Sequence, residues 1–522
     1  MSSAGRELPD RAHSGFTGLI DRLGQPGRRF IAEHAEGTIV LSALAAFVVM
    51  WMVFDVVSLA SVDLHPDWSE AALWAHNFAF GYKHPPMTAW LFILWFAVFP
   101  RQDWAADLLS VIVVAAGLGI TWRLLRDHLD KNRALLGLVA LVLIPLYDIK
   151  TAILNANTVM IPFWAAALLF YLRARRGLGS FDAFLAGAFV SLTVFGKYWA
   201  LFLVAGMAIA SVVGPGTRRF WRSPAPYVMA LGAAIVVAPH VWWFVSERGG
   251  TSYTFVRDTV VVSQSFGAAL LRSVRYLINA VAYAIMPILF LVALRPSRSV
   301  LAEMIWPPGD DRRQALLLFL VPLVLPAAVN LAVPYRLTAD WTYPNWALLP
   351  VILYASRDIV VDERVVARAA LVTLAVTLVA IVASPIVAYA RLTRGDDQYR
   401  AHFRQVAALA DRLSGGPAQL VWGSPEITAG LPFYLPAARP LMADPLSADG
   451  RAVINAHGLV VVCLSTDAPC RKTGAALADA GGHGANASFT RSFLGVLGPP
   501  MNFEINVVPP APAPARTTAT SQ

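Results

Sequence analysis

Charge is what this sequence has least of. Of its 522 residues only 14% are Asp, Glu, Lys or Arg, 57% are hydrophobic, and mean hydropathy is +0.57. A soluble domain carries about 25% charged residues, so this composition excludes an ordinary soluble protein and implies a polytopic membrane protein. Other absences narrow the chemistry. There is no Walker loop, no Gly-x-Gly-x-x-Gly after a strand, no His-Glu-x-x-His, no Cys–His zinc spacing and no serine nucleophile elbow. No cofactor is therefore expected, and no metal cluster. Residues 1–36 carry Arg6, Arg11, Arg22, Arg28 and Arg29 and no early apolar core, so they read as a cytoplasmic segment without a cleavable signal peptide. The net charge of +9 lies mostly in short Lys/Arg clusters between apolar runs, as in cytoplasmic loops, and needs no nucleic acid to explain it.

What is there is hydrocarbon-length apolar sequence. A span needs about 20 apolar residues, and candidates at 38–60, 105–122, 134–151, 157–172, 181–195, 198–214, 226–245, 277–294, 315–334, 343–356 and 367–390 make about eleven. The 16 Trp and 14 Tyr suit interfacial belts. The run at 84–100, opened by Pro85-Pro86, is short. If it crossed the bilayer, the cluster Arg123, Arg126, Lys131, Arg133 would lie outside and every later cluster would be inverted. Read as a re-entrant or interfacial helix, it leaves the N-terminus, the 123–133 cluster, Arg173–Arg176, Arg218-Arg219, Arg312-Arg313 and Arg357–Arg368 all cytoplasmic. The expected fold is a mainly α polytopic bundle over residues 37–390. An α/β domain of about 110 residues, 391–508, follows on the extracytoplasmic side, with strands near 419–422, 439–442, 458–464 and 503–508. Cys463 and Cys470 could close a disulfide in that oxidising compartment, or stay as two thiols. The Pro/Ala/Thr-rich tail after 508 is expected to be disordered.

That threading gathers otherwise misplaced polar residues on one face: Asp67, Glu70, Lys83, His84, Asp148, Asn155, Asn157, Lys197, Tyr198, the stretch His240–Arg248, Arg336 and Asp340. A transporter would more often bury such groups at mid-span. Asp67 and Glu70, three apart, share a helix face and can divide acid–base and orienting work. They could also hold a divalent ion with few ligands, or merely solvate an interfacial helix over 68–80. Lys83-His84-Pro85-Pro86 offers donors at a rigid turn, suited to an anion or, for Lys83, to snorkelling. Asn155 and Asn157 can bond sugar hydroxyls or cap a helix, capping suiting Asn157 better. Lys197 suits a phosphate or a lipid headgroup, and Arg336 and Asp340 could pair with each other.

These residues resemble a family. Asp67-Trp-Ser-Glu70-Ala-Ala-Leu-Trp74 followed by Phe80-Gly-Tyr-Lys-His84-Pro-Pro-Met87 is similar to the first-loop block of the GT-C membrane glycosyltransferases, in the bacterial branch related to protein O-mannosyltransferases and the lipid A aminoarabinose transferase. Lys150–Trp164, Phe195-Gly-Lys197-Tyr198, Pro239-His240-Val-Trp-Trp243 and Asp340–Trp346 resemble later landmarks in the same order, so the likeness covers about 38–440.

The resemblance implies transfer of a sugar from a polyprenyl-phosphate carrier to an extracytoplasmic acceptor, from within a bacterial inner membrane and in contact with its lipids. Asp67, with Glu70 beside it, takes the family's catalytic acidic place. Lys83, His84, Lys197 and Arg336 are the candidates for the carrier phosphate. Asp148, Asn155, Asn157, Tyr198, His240 and Asp340 are candidates for sugar or acceptor. An amide near the family's second acidic position cannot act as a base. A lipid or polysaccharide transporter, or a non-catalytic envelope scaffold, are the alternatives. The acceptor, whether lipid, lipopolysaccharide, glycan or protein, is not legible.

Overall fold

The computed structural model describes residues 10–75, 78–150, 153–214, 216–246, 250–394, 399–479 and 482–511. The chain divides into two compact units. The first comprises Met1–Val53, Ala79–Thr88 and Leu108–Val382; the second comprises Phe54–Phe78, Ala89–Asp107 and Ala383–Gln522. The sheet-bearing unit is thus more than the run after 390, because two earlier, largely helical segments belong to it.

The first unit is helical. Among the described residues five helices are long and apolar enough to cross a membrane: Glu36–Ser58, Asp103–Arg126, Ala225–Val245, Asp310–Ala332 and Glu363–Thr393. A sixth span forms if Phe266–Tyr283 and Ile285–Ala293, bent by 52°, count together. Pro287 explains the bend, since its ring clashes with the carbonyl four residues back and supplies no N–H for it. Shorter apolar helices include Met87–Phe96, Ser180–Gly196 and Tyr198–Val212. The ten residues of Met87–Phe96 reach roughly 15 Å, half a hydrocarbon core. Two expected spans are cut short. The helix within 134–151 ends at Val142, ahead of Pro145, and 343–356 is a 3-10 helix, Ala339–Leu348, running into Leu349–Tyr354.

Ion pairs gather the basic clusters at one end of this unit. Arg173 bonds Asp127 at 2.6 Å, Arg176 bonds Asp311 at 2.9 Å, Arg126 bonds Glu36 at 2.8 Å and Arg175 meets Asp310 at 3.3 Å. The helix Met160–Arg176 carries Arg173 and Arg176 in its last turn, while its other end, roughly 25 Å away, follows Asn155 and Asn157. Asn155 and Asn157 therefore lie at the opposite end of this helix from Arg173 and Arg176.

The second unit holds a five-stranded sheet. Its strands are β1 (Leu420–Gly423), β2 (Arg439–Pro440), β3 (Leu459–Leu464), β4 (His483–Phe489) and β7 (Met501–Val508), in the order β2-β1-β3-β7-β4. A separate hairpin is made by β5 (Ser492–Phe493) and β6 (Val496–Leu497). β1 pairs in parallel with β2 and β3, whereas β7 is antiparallel to both β3 and β4. β3, Leu-Val-Val-Val-Cys-Leu, is the unbroken apolar run of a strand covered on both faces. One face packs on Phe403, Val406, Ala407 and Ala410 of the helix Phe403–Ser414; the other packs on Ile454, Cys470 and Leu477. Cys463 and Cys470 are joined in a disulfide with a Cα separation of 5.6 Å. Glu247 and Arg248 of the expected His240–Arg248 stretch, and the tail from 512, lie outside the described residues.

Candidate active site

In the helical unit, residues 80–84 are strapped into place from several sides. The Phe80 carbonyl meets Nδ1 of His240 at 2.6 Å, and Nε2 of His240 meets the Tyr198 hydroxyl at 3.1 Å. The His240 ring stacks on Trp243, and Trp243 closes over Gly81, where a Cβ would stand 2.3 Å from the indole Cζ3. Only glycine fits there. Ser252 donates its hydroxyl to the Tyr82 carbonyl, and the Tyr82 N–H donates to the His84 carbonyl at 2.9 Å. The segment after this strap begins with Pro85-Pro86, which directly precede the helix Met87–Phe96.

The strap presents one cation, Lys83, and a neutral ring, and Lys197 brings a second cation from another loop. The Lys83 ammonium sits 4.7 Å from the centre of Phe255, whose ring also packs edge-on against His84. Lys197 caps the end of Ser180–Gly196 in extended conformation. Its ammonium donates to Oδ1 of Asn157 at 3.0 Å and lies 4.0 Å over Trp341. Burial, then the positive charges of Lys197 and Lys83, hold the His84 pKa down to about 3. At neutral pH His84 is an uncharged hydrogen-bonding group between two cations. Such a set can hold a phosphate, the lysines supplying charge and the imidazole a directed N–H.

The remaining predicted residues of this unit divide. The side-chain oxygen of Asn155 accepts from the backbone N–H of Asn157 (2.8 Å) and Thr158 (3.2 Å), so Asn155 builds the turn while Asn157 steers Lys197. That reverses the capping expectation. Asp340 does not pair with Arg336. It takes the Lys150 ammonium at 2.5 Å and the Tyr283 hydroxyl, while Arg336 is exposed and its backbone N–H donates to Val260 at 2.9 Å. Lys150 and Tyr283 were not expected; their partner is far away in sequence, and no local spacing announces it. Asp148 is buried in the turns that follow Val142.

The second unit carries Asp67 and Glu70 on the helix Pro66–Trp74. Pro66 opens it, and Nδ1 of His65 caps it by accepting the Asp67 backbone N–H at 3.1 Å. With that lone pair engaged, the ring's proton is on its other nitrogen, so the 3.8 Å approach of Asp67 to His65 is not an ion pair. The Asp67 carboxylate lies in the first helical turn, where the helix dipole favours negative charge, and 41% of its side chain is exposed. Glu70, one turn on, is part-buried. Trp68 is no interfacial residue, contrary to the solvated-helix reading. It is buried against Phe92 and Phe96, which in turn meet Phe433.

Just upstream of Asp67 lies an unexpected charge network. Asp63, with 0% of its side chain exposed, pairs with Arg491 and accepts the Arg404 backbone N–H at 3.0 Å. Arg400 donates to the carbonyls of Asp63 and Leu64, and Arg404 pairs with Asp103 at 2.7 Å. The Tyr434 hydroxyl donates to Asp103 at 2.8 Å and accepts the Leu64 N–H at 3.0 Å. Through these bonds the loop that carries Asp67 is held by residues flanking the sheet. Among the described residues no group of three or more His, Cys, Asp or Glu could hold a metal.

Comparison with known proteins gives this arrangement relatives. A family model described as dolichyl-phosphate-mannose-protein mannosyltransferase matches residues 83–243. The lipid A galacturonosyltransferase RgtD of Rhizobium johnstonii is 26% identical over 320 residues, which is 60% of this chain and 62% of that protein, under two thirds of its length. Crystal structures of ArnT from Cupriavidus metallidurans, bound to undecaprenyl phosphate and in the apo state, superpose with TM-scores of 0.58 and 0.57 at 14% identity. They cover 91% and 90% of this chain and 98% of ArnT, and they show the shared fold. The likeness is therefore to the mannosyltransferase model over residues 83–243 and to RgtD in sequence, and to ArnT in fold over most of the chain.

Proposed function

We propose that this protein transfers a sugar from a polyprenyl-phosphate carrier to a lipid acceptor of the lipid A type at the extracytoplasmic face of the inner membrane. The observation that carries the reading is the pair of cations, Lys83 and Lys197, flanking a neutral His84 on a strapped loop. The chemistry fits. Asp67 takes the proton of an acceptor hydroxyl, whose oxygen attacks the anomeric carbon from the face opposite the phosphate. The bond from anomeric carbon to phosphate oxygen breaks with inversion, and the carrier leaves as a phosphate monoester with one more negative charge. Cations matched to that developing charge lower the barrier. Glu70 orients the acceptor; Arg336 adds a cation on the phosphate side, and Tyr198, His240, Asp148, Asn155, Asn157 and Asp340 line or support the sugar side. The likeness to a lipid A galacturonosyltransferase, together with Lys83, Lys197 and Arg336, makes a uronic acid the first sugar to test.

In this reading the N-terminus and the ion-paired basic clusters are cytoplasmic, the chain crosses about eleven times with 84–100 re-entrant, and the sheet-bearing unit lies outside. The Cys463–Cys470 disulfide supports that side. Mass spectrometry of lipid A from a deletion strain and its complemented parent tests the proposal. Loss of one sugar mass per acceptor on deletion is expected; an unchanged lipid A profile with a changed glycan or protein would move the acceptor elsewhere.

A further inference from the structure

The hairpin of β5 and β6 breaks the rule for its own turn. Its two-residue loop, Leu494-Gly495, has φ of 49° and 80°. Positive φ at both centres is the type I′ geometry, which selects Asn-Gly or Asp-Gly. A leucine at the first of these positions is strained, because its Cβ crowds the following carbonyl oxygen. It is also 80% exposed, and Leu497 beside it is 70% exposed. Strain and exposure fall on one residue.

The base of the hairpin shows where that tip sits. Arg491 donates to the carbonyl of Ala60, two residues past the span Glu36–Ser58, and also holds Asp63. The Gly498 N–H closes the hairpin on the Arg491 carbonyl at 2.9 Å. Gly498 is pressed on Leu392, so closely that a Cβ would stand 2.8 Å from its Cδ1; Leu392 is in the last turn of the span Glu363–Thr393. That span presents Val382 and Ile386 outward, an apolar face for lipid. The hairpin is thus pinned beside the ends of two apolar spans, and it carries two bare leucines there.

We infer that the hairpin Arg491–Gly498 is a membrane anchor, with Leu494 and Leu497 inserted in the acyl region of the leaflet at the ends of these two spans. The strained turn is stabilised there because burial of a leucine in hydrocarbon is worth more than the strain costs. The anchor fixes the sheet-bearing unit at the bilayer surface. This inference rests on the two spans and not on the proposed reaction.

The test uses the full chain in vesicles of phosphatidylcholine and phosphatidylglycerol. Leu494→Cys, Leu497→Cys and, as control, Met442→Cys are each labelled with an environment-sensitive fluorophore, the native cysteines being held in their disulfide. Met442 is 81% exposed in the same unit, beside β2 at the edge of the sheet. Lipids spin-labelled at carbon 5 of the acyl chain are then added as quencher. Quenching at 494 and 497 at least twofold stronger than at 442 is expected. Equal quenching at all three positions overturns the anchor.

Discussion

Two residues of the first loop explain most of its behaviour. His84 has its pKa held down to about 3 by burial and by Lys197 and Lys83, whereas an unfolded histidine titrates near 6.5. Between those values the unfolded chain binds a proton that the folded chain does not. The histidine's contribution to stability is therefore complete above about pH 6.5 and is lost progressively as pH falls toward 3. His84→Asn should flatten the dependence of melting temperature on pH between 6.5 and 4.5, with little change at 7.5; an unaltered slope would mean that another group titrates. Gly81 is the second residue. Gly81→Ala drives a methyl into Trp243 and should cost about 1–3 kcal/mol of stability by overpacking, read as a lowered melting temperature. The glycine, the lysine and the histidine of this loop are visible in sequence. Phe255, which packs on Lys83 and His84, and Ser252, which holds the Tyr82 carbonyl, are not, because they arrive from a distant segment without a shared pattern.

At the scale of elements, the loop and helix that carry Asp67 are held by Asp63. A buried carboxylate that pairs with Arg491 and accepts the Arg404 backbone N–H is costly to remove, since the Arg491 guanidinium would lose its charged partner. Asp63→Asn should destabilise the protein by about 3–5 kcal/mol in thermal or denaturant unfolding. Asp67→Asn, at an exposed first-turn position, should leave the same measurement unchanged. Equal stabilities for the two variants would remove Asp63 from its structural role. Sequence patterning places most helices within a few residues but misreads those broken by proline. Pro145 follows a helix expected to run to 151, Pro287 divides one span, and Pro344 tightens 343–356 into a 3-10 turn. β4, His-Gly-Ala-Asn-Ala-Ser-Phe, escapes notice because it lacks the apolar alternation of a half-buried strand.

For the whole molecule, low charge and long apolar runs announce the membrane, and the order of polar landmarks points to the fold that the chain shares with ArnT. What composition does not announce is that residues 54–78 and 89–107 fold with the sheet, because that assembly depends on Asp63, Asp103, Arg404 and Arg491 meeting across hundreds of residues. Orientation is tested by alkaline phosphatase fusions. One after Arg394 should be active, and one at His128, beside the ion-paired basic clusters, should be inactive; the reverse pattern would invert the threading. The central claim is the transfer itself, with Asp67 as its base. It is tested most directly by single-turnover transfer from undecaprenyl-phosphate sugar to lipid A, with wild type and Asp67→Asn side by side in nanodiscs. Product formed by wild type, with a rate lower by about 10²–10⁴-fold in Asp67→Asn at unchanged melting temperature, is the expected result. Near wild-type transfer by Asp67→Asn would contradict it.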